Sequence, residues 1–83
     1  MFHKIKSIKA LDNYVLEVVF IDNTKKYYNV ASLFSKWHIF KQLKNIDGLF
    51  KQVKVDVGGY GVYWNDEIDL SCDELWNNGT YNL

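Results

Sequence analysis

Eighty-three residues leave room for one core and no second domain, so residues 1–83 are read as a single domain. A content of 48% hydrophobic and 17% aromatic residues excludes an intrinsically disordered chain. Ten lysines balance ten acids and arginine is absent, which removes both the positive surplus and the planar guanidinium forks that hold phosphate backbones; nucleic acid is a disfavoured partner.

In chain order, Ile5 to Ala10 reads as a first strand with imperfect alternation, Ile5 and Ile8 falling on opposite faces unless a bulge lies between them. Leu11-Asp12-Asn13 supplies turn residues. The clearest strand is Tyr14 to Ile21, with Tyr14, Leu16, Val18 and Phe20 on one face and Val15, Glu17, Val19 and Ile21 on the other. Two largely apolar faces predict a central strand. Asp22-Asn23-Thr24 then turns the chain into a third strand, Lys25 to Asn29. Val30, Leu33, Phe34 and Trp37, spaced by three and four, predict a helix of two turns, and Phe40 and Leu43 carry the apolar pattern to a break at Asp47-Gly48. Val53, Val55 and Val57 alternate with Lys54 and Asp56 as a fourth strand. Gly58-Gly59-Tyr60-Gly61 reads as a hairpin turn into a fifth, Val62-Tyr63-Trp64. Ser71-Cys72-Asp73-Glu74 has the form of a capping box, in which Ser71 accepts from the Glu74 amide and the Glu74 carboxylate reaches back to the Ser71 amide. A short helix bearing Leu75 and Trp76 follows and stops at Asn77-Asn78-Gly79, and Thr80 to Leu83 are expected to fray. The pattern is α+β: an antiparallel sheet of four to five strands in the order β-β-β-α-β-β-α, with short helices packed on one face.

The candidate chemistry is thin. Asp66, Glu67, Asp69, Asp73 and Glu74 put five carboxylates into nine residues, but they match no calcium-loop spacing, and acids at a helix start are favoured without any metal. His3 and His38 are the only histidines, and neither has an evident nucleophile to serve. Cys72 is the only cysteine, so an intrachain disulfide or a cysteine-based metal cluster is excluded, and the acids around it disfavour a thiolate. The glycine-rich turn is followed by a strand where a phosphate cradle would need a helix. No catalytic residue, metal or cofactor is expected, and the chain is not read as an enzyme. The start of the chain has no signal-like apolar run, and Val18 to Ile21 falls far short of the roughly 20 residues a membrane span needs. The cytoplasm is the expected compartment, with no membrane association.

Lys25, Lys26, Tyr27 and Tyr28 interleave cations with rings as single-stranded nucleic-acid binders do. On a neutral chain with many aromatics, exposed rings point instead to a protein partner. Tyr27 and Tyr28 must face opposite sides of their strand, so one of them is left off the main core, and Trp37 stands where its apolar stripe ends. Tyr27, Tyr28 and Trp37 are therefore the candidate partner-binding residues.

Leu16-Glu17-Val18-Val19-Phe20 with its Asp22 turn, Val30 to Leu33, Phe40-Lys41-Gln42-Leu43, Phe50-Lys51-Gln52-Val53 and, most specifically, Trp64 through Asp69-Leu70-Ser71 to Leu75 together resemble a bacterial family known as domain of unknown function number 2442. Asn65, Asp66 and Glu67 stand where that family often has Pro, Asn and Gly. The resemblance implies a compact α+β domain with no established activity and no assigned catalytic residues. It also implies a gene neighbourhood shared with another small domain, in pairs similar to toxin–antitoxin modules. Some longer relatives carry a C-terminal helix-turn-helix, which a chain stopping at Leu83 is expected to lack. The expected role is a protein-binding or regulatory module, antitoxin-like, whose partner is the neighbouring gene's product; self-association stays open. A nucleic-acid-binding accessory protein comes second, and a small metal-dependent or hydrolytic enzyme a distant third.

Overall fold

The structure, a computed structural model, describes residues 2–83. It opens on an antiparallel sheet of β1 (Ile5–Ala10), β2 (Val15–Phe20) and β3 (Lys25–Asn29), with β2 in the centre as its two apolar faces predict. Of the two alternatives for β1 the bulge is found: it lies between Ile5 and Ser7 and returns Ile8 and Ala10 to the side that holds Ile5. Leu16, Val18 and Phe20 of β2 face inward, and so do Lys26 and Tyr28 of β3. Both connections are short. Asn13 and Tyr14 take left-handed backbone (φ 62° and 60°), a strained conformation for a tyrosine, and the Tyr14 ring packs edge-on to Phe34 and Phe50 at 5.2 and 5.3 Å. In the second turn Asp22 Oδ1 accepts from the Thr24 amide at 2.9 Å, which holds the exposed Asp22 carboxyl below its ordinary pKa.

A single sheet of four to five strands does not form. Six strands make two three-stranded antiparallel sheets, the second built of β4 (Lys54–Val55), β5 (Gly61–Tyr63) and β6 (Asp69–Ser71). The strand expected at 53–57 shrinks to two residues because the turn begins at Asp56. Its carbonyl accepts from the Gly59 amide at 3.1 Å and its Oδ1 from the Tyr60 amide at 2.9 Å, leaving Val57 99% exposed. Gly59 (φ +79°) lets this turn press on β1: its carbonyl accepts from the Ile5 amide at 2.7 Å, and a Cβ there would lie 2.7 Å from the Ile5 carbonyl oxygen.

The two-turn helix expected over Val30 to Trp37 is also replaced. A 3₁₀ turn spans Val30–Leu33, capped by Asn29 Oδ1 accepting from the Ala31 amide, and Trp37 goes extended (φ −129°, ψ 117°) before a second 3₁₀ turn, His38–Lys41, and the single-turn α1 (Gln42–Asn45). The apolar spacing nevertheless does its work, for Val30, Leu33, Phe40 and Leu43 are all buried. A last 3₁₀ turn, Phe50–Gln52, leads into β4. The C-terminal α2 (Cys72–Asn78) packs on β3, β5 and β6. One core joins the inner faces of both sheets (Leu16, Val18, Val62, Leu70) to the helical pieces, with Trp64 at its edge stacked on Phe50 and donating from Nε1 to the Phe50 carbonyl at 2.9 Å.

Candidate interaction surface

The three candidate aromatics have three different fates. Tyr28 is 3% exposed and belongs to the core. Its hydroxyl donates to Glu74 Oε2 at 2.7 Å, and Asn78 Nδ2 donates to the same oxygen at 2.9 Å. Burial, then this bond to a carboxylate and the carboxylate's charge, push the Tyr28 phenol well above its ordinary pKa. The capping box is thus only half made. Ser71 Oγ accepts from the Glu74 amide at 3.1 Å, but the Glu74 carboxylate is turned toward β3.

Tyr27 lies half-buried on the opposite face of β3. Its amide donates to the Thr80 carbonyl at 2.7 Å and its carbonyl accepts from the Thr80 amide at 2.8 Å, an antiparallel bridge. Thr80, expected to fray, is therefore pinned to the outer edge of β3. Gly79 makes the approach close: a Cβ there would stand 2.5 Å from the Leu75 carbonyl oxygen and 3.2 Å from Lys26 Cβ.

Trp37 alone is free, at 46% exposure. Its ring leans on Phe40 at 5.9 Å, and Lys36 Nζ lies 5.4 Å from the ring centre. A cleft of about 310 Å³ runs between β3, the first 3₁₀ turn and α2, and its lining includes Tyr28, Ser32, Lys36, Glu74 and Asn78 but not Trp37. Trp37 thus stands apart, and does not join Tyr27 or Tyr28 in one aromatic patch.

The other sequence candidates are dispersed. Among the described residues no three His, Cys, Asp or Glu side chains converge as a metal site. The turn after β5 is held by Asn65, whose Oδ1 accepts from the Glu67 and Ile68 amides at 2.9 and 3.0 Å, so Asp66, Glu67 and Asp69 are left in solvent. Cys72 is buried, and burial first, then the charge of Asp73, push its thiol above the ordinary value. His3 is stacked flat on Trp76 at 3.6 Å, and His38 is exposed.

Sequence alone does not single out Lys26, which is 6% exposed, lying over the rings of Trp76 and Tyr81 at 4.3 and 4.8 Å and donating to the Trp76 carbonyl at 2.6 Å. It neutralises the negative end of α2 from inside the fold. The one available signal was its alternation with Tyr28, which puts both residues on the face of β3 opposite Tyr27.

The family described as "Protein of unknown function (DUF2442)" matches residues 5–81. The chain belongs to this family. For this DUF2442 domain the match takes in both sheets and α2, with the Trp64–Leu75 segment that carries the resemblance forming β6 and the start of α2. No curated protein and no solved structure matches it. No helix among the described residues is long and apolar enough to cross a membrane.

Proposed function

We propose that this DUF2442 domain acts by binding another protein, as a regulatory module and not as an enzyme, in the manner of the antitoxin-like member of a two-gene pair. The observation that carries the reading is Trp37. A tryptophan left 46% exposed, braced by Phe40 and Lys36, is of the residue type that most often anchors protein interfaces. Tyr28 drops out of the partner surface because it is core, and Tyr27 contributes at most its half-exposed face. Trp37→Ala should reduce binding to the product of the neighbouring gene at least tenfold, the loss of ~2 kcal/mol or more expected of an anchor, with the melting temperature nearly unchanged. Unchanged co-purification of the variant would remove Trp37 as the anchor. Salt-sensitive binding of an oligonucleotide, with no protein partner, would favour the nucleic-acid reading instead.

A further inference from the structure

β3 is an edge strand: it pairs with β2 on one side, and among the described residues its other side is bridged by Thr80 alone. The amide and the carbonyl of Tyr27 both bond to Thr80, so they point away from β2. In an antiparallel ladder that direction repeats every two residues, which sends the backbone groups of Lys25 and Asn29 the same way. Residues 80–83 do not carry the pairing on to them. Thr80 Oγ1 donates to the Asn82 carbonyl at 2.7 Å and turns the chain off the edge. A cleft of about 250 Å³, whose lining includes Val15, Tyr27, Asn29, Thr80 and Asn82, lies between this tail and the sheet. Tyr81 and Leu83 are 65% and 82% exposed. A strand edge with outward-pointing amides and carbonyls is a template for another strand, and a single bridge is a light cover for it.

We propose that the outer edge of β3 is a pairing surface for a second copy of this chain, and that residues 80–83 hold it shut. The register of β3 is what points to a second copy. A two-fold antiparallel pair centred on Tyr27 sets Tyr27 against its own counterpart, Lys25 against Asn29 and Lys26 against Tyr28. All three residues with outward groups then have strand partners, and no lysine faces a lysine. Centring the pair on Lys25 or Lys26 would put like charges directly opposite, and centring it on Tyr28 would set Lys25 against the 3₁₀ turn at Ala31. The pair joins the β1-β2-β3 sheets of two copies edge to edge. It stops at two copies, because at the far edge the Ile5 amide already donates to the Gly59 carbonyl. Tail and second copy compete for the same two groups of Tyr27, so pairing requires the tail to leave. With a five-residue strand on each side the contact is small, and the dimer is a weak one. This surface is distinct from Trp37, and the inference does not rest on the Trp37 reading.

The test is sedimentation velocity from micromolar to millimolar protein, on the natural chain and on a chain truncated after Gly79. The truncated chain should dimerise with a dissociation constant at least ~10-fold smaller than that of the natural chain. Asn29→Asp keeps an oxygen to cap the 3₁₀ turn and puts a carboxylate opposite Lys25 twice in the dimer, so it should tighten the truncated dimer by about 2- to 30-fold. Circular dichroism checks that each variant is folded. If truncation unfolds the chain, Thr80→Pro takes its place in every comparison, since it removes only the amide that donates to the Tyr27 carbonyl. A folded truncated chain that is monomeric at millimolar concentration overturns the inference. So does a natural chain that dimerises as tightly as the truncated one, or a truncated dimer indifferent to Asn29→Asp. A truncated chain that stays monomeric yet binds a synthetic peptide of residues 77–83 would assign the edge to a foreign extended segment in place of a second copy.

Discussion

At Tyr28 a hydroxyl on a core ring and a carboxylate on α2 meet across 46 residues of sequence, and the bond between them decides how each behaves. Glu74 gives up its expected place in the capping box because a buried phenol needs an acceptor, whereas Ser71 is exposed to solvent. A proton-linked stability follows. The phenol keeps its proton to higher pH in the folded protein than in the unfolded chain, where its pKa is about 10. Its contribution is therefore complete below about pH 10 and is lost as pH climbs through that value toward the raised one. Tyr28→Phe should cost about 1.5–3 kcal/mol at neutral pH, as expected for a hydrogen bond to a charged group. Urea denaturation at neutral and alkaline pH should show a shallower alkaline loss in the variant than in the natural protein. An equally steep loss in both would place the alkaline sensitivity elsewhere. Lys26 makes the same point for sequence reading. A lysine between a lysine and a tyrosine looks like surface, and only the side chains of Trp76 and Tyr81, brought in from the far end of the chain, show why it is inside.

Among the elements, what could be read in advance was whatever depends on neighbours in sequence. The alternation from Tyr14 to Ile21, the bulge in β1 and the start of α2 at Ser71 are local patterns, and each is found in place. Ser71→Ala should accordingly cost about 0.5–2 kcal/mol. The value should fall toward the lower half of that range, because the reciprocal bond from Glu74 is not made. An unchanged urea midpoint would mean that the cap adds nothing to α2. What could not be read was the division into two sheets, since it depends on which strand pairs with which across the fold. β6 is three residues of Asp-Leu-Ser, a composition that suggests a turn, and it is a strand because Leu70 meets Val62 in the core. The segment after Asn29 has helical spacing but is cut into 3₁₀ turns, because Trp37 takes an extended backbone in its middle. Among the candidate partner residues, alternation rightly set Tyr27 and Tyr28 on opposite faces, but it had no means of saying that Tyr28 was the one with a buried hydroxyl partner.

Over the whole molecule, the first sheet and the last helix hold each other. His3 stacks on Trp76, Lys26 is roofed by Trp76 and Tyr81, and Thr80 closes the edge of β3. Deleting residues 80–83 removes the two backbone bonds at Tyr27 and the Tyr81 ring over Lys26. Each bond is worth about 0.5–1.5 kcal/mol, so losing both should lower the melting temperature by roughly 4–24 °C, measurable by calorimetry. A shift within error would show that the tail lies on the sheet without stabilising it. The same closure sets the timing of folding during synthesis. At about 5–20 residues per second, the fifty positions from Lys26 to Trp76 take roughly 3–10 s to be made. Through that interval the Leu16, Val18 and Phe20 face of the first sheet is covered piece by piece, as the helical turns and then the second sheet are made. The nascent protein therefore spends seconds with the Trp76 end of that face still uncovered, and α2 is the last piece the ribosome delivers.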